Sequence, residues 1–372
     1  MFSADDQRPM ARALQLAQRG LYTTEPNPRV GCVLVRDGVV VGEGFHARAG
    51  EGHAEVNALA VAGERAQGAT AYVTLEPCAH FGRTPPCCEA LIKAGVARVV
   101  SAMEDPTPLV SGRGHQRLRE AGLAVLCGLL EPQARALNPG FIKRMGQGLP
   151  YVRIKQAMSL DGRTAVASGE SQWITGAPAR SDVQRLRARS SAILTGSGTL
   201  RADNPALTLR AEQLDLANAA EVVQRQPLRV VLDSALRMPL DAAILQQPGT
   251  TLVVHNPGDR DKAAALIQAG ALLAERDSRD LQGLLRWLAR DYQCNELLVE
   301  AGATLSGALL QAGLVDELVI YLAPTLLGSS ARPLFQLPLE RMAEQRRLVL
   351  RDQRLVGTDL RLTYTLALGE EN

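Results

Sequence analysis

Short β-branched runs alternate with helix-periodic stretches along nearly the whole 372-residue chain, and the alternation breaks once, at Gly146-Gln147-Gly148-Leu149-Pro150. Strand, helix, strand in succession forces a right-handed parallel crossover, and so an α/β layer fold. A chain of this length is comfortable as two domains, each with its own core. The break places them at 1–146 and 147–372.

In the first part, Pro9 to Arg19 reads as a helix, with a proline near its start and Gly20 just past its end. Val30 to Val35 and Val39 to Gly44 read as strands joined by Asp37-Gly38, a two-residue hairpin signal. Helices follow at His53 to Arg65, Cys87 to Lys93 and near Gln116 to Glu120; strands at Ala71 to Leu75, Ala97 to Met103 and near Leu123 to Leu126. In the second part strands are expected at Tyr151 to Met158, Ala192 to Thr195, Arg229 to Leu232, Thr251 to His255, Glu296 to Val299 and Glu317 to Leu322. Helices are expected at Ala179 to Arg189, Leu281 to Asp291 and Thr304 to Ala312. Gln213 to Gln226 is polar and alanine-rich and reads as a surface insertion.

Composition excludes several functions. With 41 basic and 39 acidic residues the net charge is +2, which offers no global field to a nucleic-acid backbone or an anionic membrane. Aromatics make up 3%, too few for a stacking platform. The N-terminus MFSADDQRPM lacks the pattern of a secretory signal, and no apolar run approaches a bilayer span. A cytoplasmic location is expected, with cysteines kept reduced, so a cysteine cluster points to metal or catalysis before disulfides.

Three of the six cysteines cluster at Cys78, Cys87 and Cys88. Upstream stands His53-Ala54-Glu55. One imidazole and two thiolates, His53, Cys78 and Cys87, suit zinc, and three protein ligands leave a position for water, whose pKa the metal lowers to about 7. Glu55 would carry protons between that water and a departing amino group. Cys78 and Cys87 would bracket the start of a helix, whose dipole favours thiolates. Zinc nucleobase deaminases space their cysteines by two residues; here eight intervene, Ala79 to Pro86. That either breaks the match or marks a subclass whose loop, with His80 and Arg83, meets substrate. A structural zinc with Cys88 or His80 as fourth ligand is the bland alternative, but a non-ligand carboxylate beside the metal serves chemistry and not structure. Asn27, fixed between two prolines in Pro26-Asn27-Pro28, could bond a heterocycle edge or merely make a turn. Two rival functions remain: a nucleic-acid base deaminase, which the composition disfavours, and a zinc-stabilised binding module.

The second part lacks the Rossmann glycine fingerprint. It has two glycine-bearing strand-to-helix turns, Thr195 to Thr199 and Gly302 to Gly307, whose backbone amides could hold phosphate. Each is a weak signal alone.

Together Pro26 to Cys32, His53-Ala54-Glu55 and Glu76 to Cys87 resemble the bifunctional riboflavin-biosynthesis deaminase–reductases of bacteria, in which the long inter-cysteine loop is characteristic. Lys155 to Arg163, Ser171 to Thr175, Thr199 to Arg210 and Val299 to Gly302 resemble the reductase half of that family. The resemblance implies a cytidine-deaminase-like three-layer α/β/α domain followed by a dihydrofolate-reductase-like α/β domain. It implies zinc-dependent deamination of a diamino-ribosylamino-pyrimidinone 5′-phosphate, then NADPH-dependent reduction of the ribosyl chain to ribityl. By the same resemblance Ala157, Trp173, Thr199, Asp203, Ser234 and Gly302, Ala303, Thr304, Leu305, Ser306, Gly307 and Ala308 would line the cofactor. Ser171, Arg187, Leu207, Arg210 and Glu300 would meet the substrate. Arg187 and Arg210 suit a phosphate grip through forked bonds, unless Arg187 lies on a solvated helix face. The expected partner is a small phosphorylated pyrimidine, not nucleic acid or membrane, and a homo-oligomer is expected.

Overall fold

The computed structural model describes residues 2–79, 86–107 and 111–367. The chain forms two compact units, Met1–Leu149 and Pro150–Asn372.

In chain order the first unit has α1 (Gln7–Gln18), β1 (Gly31–Arg36), β2 (Val39–Phe45), α2 (Ala54–Ala62), β3 (Thr70–Val73), α3 (Cys87–Lys93), β4 (Arg98–Ser101), α4 (Arg113–Glu120), β5 (Ala124–Cys127), α5 (Glu131–Leu137) and α6 (Pro139–Gln147). The sheet order is β2-β1-β3-β4-β5. β1 is antiparallel to β2 and β3, while β3, β4 and β5 run parallel. Asp37 and Gly38 take φ of 52° and 76°, the conformation a tight hairpin requires. Alternation along the strands makes three layers. Cys32, Leu34, Ala71, Val73 and Val99 face Ala54, Ala58, Cys88 and Leu91 of α2 and α3. Val33, Tyr72 and Val100 face Met10, Ala13 and Leu14 of α1 and Ala134 of α5. α2 lies almost on the backbone of β2: a Cβ on Gly44 would come within 2.4 Å of the Ala58 nitrogen. This close seating fixes the start of α2, where His53 and Glu55 stand.

The second unit has β6 (Tyr151–Ser159), β7 (Arg163–Ala165), α7 (Ala177–Arg189), β8 (Ala192–Gly196), α8 (Ser197–Asp203), α9 (Ala211–Leu214), α10 (Ala219–Val222), β9 (Leu228–Leu232), β10 (Thr251–His255), α11 (Arg260–Gln268), β11 (Ala271–Glu275), α12 (Leu281–Asp291), β12 (Glu296–Val299), α13 (Ala303–Gln311), β13 (Glu317–Ala323), β14 (Arg332–Pro333), β15 (Leu348–Val356) and β16 (Asp359–Leu366). Its nine-stranded sheet has the order β11-β10-β9-β8-β12-β6-β13-β16-β15. It is parallel from β11 to β13 and then closes with antiparallel β16 and β15. Both glycine-bearing turns do lead from a strand into a helix, β8 to α8 and β12 to α13.

Two sequence expectations need refinement. Gly146 and Gln147 are not linker but the last turn of α6, and the left-handed residue that ends the helix is Gly148, φ 66°. Gln213 to Gln226 lies at the surface as expected, but it is anchored to the unit. Leu214 and Val222 are fully buried, and Gln226 accepts from the Leu209 amide at 2.8 Å, so the segment packs into the unit. Helices α5, α6, α9, α10 and α11 and strands β7, β11, β14, β15 and β16 have no counterpart in the sequence reading. Pro139, Gly140 and Gly146 weaken the helical signal of α6, and β15 is exposed along nearly its whole length, so it shows no one-sided pattern. Among the described residues no helix is long and apolar enough to cross a membrane.

Candidate active sites

His53 is the N-cap of α2, and Cys87 is the first residue of α3. Cys78 lies in the segment that follows β3. The three bring one ligand atom each within 4.8 Å of one another. His53 Nδ1 is 3.1 Å from Cys87 Sγ and 3.7 Å from Cys78 Sγ. A tetrahedral zinc with bonds of roughly 2.0–2.3 Å has ligand–ligand edges of about 3.3–3.8 Å, so these residues fit that metal in type, and in spacing once the His53–Cys87 pair opens by a few tenths of an ångström. The helix start supports a thiolate: the Cys87 amide donates to Cys78 Sγ at 3.3 Å. Hydrogen bonding from Cys87 above all, and then from His53, draws the Cys78 thiol down to about 4. Cys87, sharing the proton of that pair, is pushed up.

Glu55 sits in the first turn of α2 and is 3% exposed. Burial, then the negative charge of Cys78, pushes its carboxyl up to about 7. A carboxyl held near neutrality can both take and return a proton. Cys88 turns away into the core beside Leu91, where burial raises its thiol to about 11, so it does not join the cluster. His80 and Arg83 lie outside the described residues. Asn27 is not a bare turn residue: its Nδ2 lies 3.0 Å from His46 Nε2, while His46 Nδ1 faces the Gly52 carbonyl at 3.1 Å. The His46 ring meets that of His53 edge-on at 5.3 Å. His46 was missed in the sequence because a lone histidine near a strand end carries no motif.

In the second unit a cavity of about 850 Å³ opens at the carboxyl ends of β6, β8 and β12. Of the residues assigned by resemblance, Ala157, Trp173, Thr199, Asp203, Gly302, Ala303, Thr304 and Leu305 line it, as do Ser171, Arg187, Leu207 and Glu300. Ser234, Ser306, Gly307, Ala308 and Arg210 are not among its lining residues. Ser306 is fully buried and held by Gln156 at 2.9 Å; Arg210 and Ser234 are exposed. The Gly302 amide donates to Thr199 Oγ1 at 3.2 Å, which ties the two glycine-bearing turns together. Helix starts and glycine backbone on the cavity wall suit a phosphate-bearing dinucleotide.

Arg187 is not on a solvated face. Its Nε and Nη2 donate to the two carboxylate oxygens of Glu300 at 2.6 and 2.9 Å, and Nη1 donates to the Thr208 carbonyl at 3.2 Å. Its fork is therefore committed within the protein. Burial works against the charge on Glu300, and Arg187 more than offsets it, leaving the carboxyl below its ordinary value. Lys155, on the same wall, has its amine pushed down by burial. Ser171 donates to Asp203 at 2.7 Å. Asp161, in the run Lys155 to Arg163, is a turn anchor: it accepts from the Ser159 hydroxyl and from the Leu327 and Gly328 amides. Lys155, Arg180 and Arg332 also line the cavity and were given no role from sequence; scattered basic residues leave no spacing signal.

Comparison with known proteins follows the same division. A family model described as the RibD C-terminal domain matches residues 150–362, and one described as the cytidine and deoxycytidylate deaminase zinc-binding region matches residues 3–103. The riboflavin biosynthesis protein RibD of Escherichia coli K12 is 55% identical over 359 residues, covering 95% of this chain and 98% of its own. A solved structure of Acinetobacter baumannii RibD superposes with a TM-score of 0.91 at 52% identity, covering 98% of this chain and 99% of that one. A crystal structure of a diaminohydroxyphosphoribosylaminopyrimidine deaminase/5-amino-6-(5-phosphoribosylamino)uracil reductase from Thermotoga maritima gives 0.83 at 30% identity, with 98% and 99% coverage.

Proposed function

Because the chain belongs to the RibD family of riboflavin-biosynthesis proteins, we propose that His53, Cys78 and Cys87 hold its zinc and that Glu55 moves the protons of deamination. The protein is a bifunctional enzyme, a zinc-dependent deaminase joined to an NADPH-dependent reductase. Its first substrate on this reading is a 2,5-diamino-6-ribosylamino-pyrimidinone 5′-phosphate, and its second is the uracil that deamination leaves.

Bound in the cage, zinc supplies a water activated for attack near neutral pH. The chain's own residues do the rest. Glu55 takes a proton from the attacking water and returns one to the amino group as it leaves as ammonia. What supports this most is a buried carboxylate two residues from an imidazole ligand, with two cysteines in reach of that imidazole. Asn27, oriented by His46, is placed to bond a heterocycle edge.

In the reductase, NADPH supplies the hydride, and the protein binds and orients. Thr199, Asp203 and the Gly302 to Leu305 turn hold the cofactor. Ser171, Lys155 and the Arg187–Glu300 pair face the open-chain sugar. On this reading exposed Arg210, which is not among the cavity-lining residues, meets the 5′-phosphate outside the cavity, while Arg187, committed to Glu300, shapes the wall. The enzyme works in the cytoplasm as a homo-oligomer. The exposed edge strand β15, with Leu348, Val349, Leu350 and Leu355 in solvent, supports the self-association; light scattering on the purified protein would test it.

The decisive assay offers the diamino substrate and follows ammonia and NADPH absorbance separately. Ammonia is expected without NADPH, and NADPH consumption only after ammonia has formed. Consumption of NADPH with no ammonia released would refute the order.

A further inference from the structure

Glu76 has no part in the site described so far, yet its carboxylate is fully buried. It stands two residues before Cys78 and reaches the amino end of α4. Its Oε2 accepts from the Asp105 amide at 3.1 Å and the Gly112 amide at 3.0 Å. Its Oε1 accepts from the His115 amide at 3.1 Å and lies 4.0 Å from His115 Nδ1. The His115 ring is held from its far side by Ser101, Oγ to Nε2 at 2.7 Å. Gly112 is the N-cap of α4, so Glu76 satisfies amides that a helix start leaves without partners.

The next residue is clamped as well. A Cβ on Gly114 would lie 2.0 Å from the Pro77 carbonyl oxygen, so the Pro77 backbone rests directly on α4. On its other side Cys78 is tied to the start of α3: Cys78 Sγ accepts from the Cys87 amide and the Cys78 carbonyl from the Cys88 amide, at 3.3 and 3.2 Å. The stretch Glu76–Cys78 is thus a bridge slung between two helix starts, with a carboxylate anchor at one end and a ligand sulfur at the other.

We propose that Glu76 is a positioning residue for the metal centre, holding Cys78 at its place opposite His53 by anchoring the chain to α4. The inference rests on His53, Cys78 and Cys87 being the ligands. Groups that orient metal ligands typically contribute roughly 10–100-fold in affinity or activity. Glu76→Gln keeps the shape, removes the charge and turns a donor toward the amides. Gly114→Ala keeps the carboxylate's charge and pushes Pro77 off the helix, its Cβ also pressing on Glu76 Oε1 and Cγ at 3.1 and 3.2 Å.

The test is the rate of zinc release from the full chain into a coloured chelator. Asp6→Asn serves as reference. Asp6 is another buried carboxylate of this unit, bonded to Arg98, Tyr72 and Ser3 and to none of the three ligands in any hydrogen bond among the described residues. Glu76→Gln and Gly114→Ala are expected to release zinc roughly 10–100-fold faster. Their ammonia kcat should fall while KM stays within about twofold, since no substrate contact is removed. Asp6→Asn should lower the melting temperature yet release zinc at the parent rate. Should Glu76→Gln fail to fold, Gly114→Ala carries the comparison. Release within about twofold of the parent, or equal acceleration in Asp6→Asn, overturns the proposal. A parent protein that binds no zinc overturns the ligand assignment beneath it.

Discussion

In the first unit the reactive groups sit at the starts of neighbouring helices, with His53 capping α2 and Cys87 opening α3. In the second they are gathered from far apart: Arg187 on α7 meets Glu300, which follows β12, across 113 residues of sequence. A metal cage demands particular ligand types in a short pattern, so it leaves a trace in the sequence. A cavity built at strand ends can recruit an arginine and a glutamate from anywhere in the sheet, because the fold and not the spacing brings them together. The units also differ in which charges they bury. The first holds a carboxylate, Glu55, with its carboxyl raised to about 7, a group poised to exchange protons. The second neutralises Glu300 with a forked cation and keeps it ionised, a group poised to orient.

That contrast can be broken by variants that silence one unit alone. The largest effect is expected for Glu55→Gln. A general acid–base residue contributes about 10²–10⁴-fold, so ammonia release should fall by that much. Zinc content and NADPH turnover on the deaminated substrate should hold. Loss of zinc along with activity would show Glu55 to be a ligand. Next is Arg187→Met, which leaves the Glu300 charge without its fork. Misplaced cavity walls typically cost on the order of 10²-fold, so NADPH turnover should drop by about that factor with ammonia release untouched. Turnover within about twofold of the parent would contradict the role given to the pair.

How far the sequence reached follows the same line. The hairpin at Asp37-Gly38, the strand alternation and the grouping of His53, Cys78 and Cys87 were all readable, because each rests on a local rule. Arg187 illustrates the limit. Its neighbours Arg180, Arg185 and Arg189 suggested a solvated helix face, and only the partner just past a distant strand shows otherwise. Gln213 to Gln226 hid its anchors for a different reason: Leu214, Leu216, Val222 and Val223 fall in or beside two four-residue helices, too short to set a period, yet Leu214 and Val222 are fully buried. The role of Glu76 was hidden because its partners are backbone amides, which no residue type announces.

A smaller effect sharpens the comparison on stability. Two hydrogen bonds from Arg98, aided by Ser3 and Tyr72, hold the Asp6 carboxyl far below its ordinary value. A carboxyl depressed in the folded state stabilises fully above its unfolded pKa, near 4, and that contribution is lost as pH falls below it. Asp6→Asn is expected to destabilise the first unit by about 1–3 kcal/mol at neutral pH and to flatten the fall in its melting temperature below pH 4. An unchanged acid profile would remove Asp6 from the account.

The central claim is the three-residue cage, and X-ray absorption at the zinc edge of the purified full chain tests it most directly. The expected result is one zinc per chain bonded to two sulfurs and one imidazole, with a fourth ligand that is neither. A protein without zinc, or a metal carrying a third sulfur or a second imidazole, would contradict it.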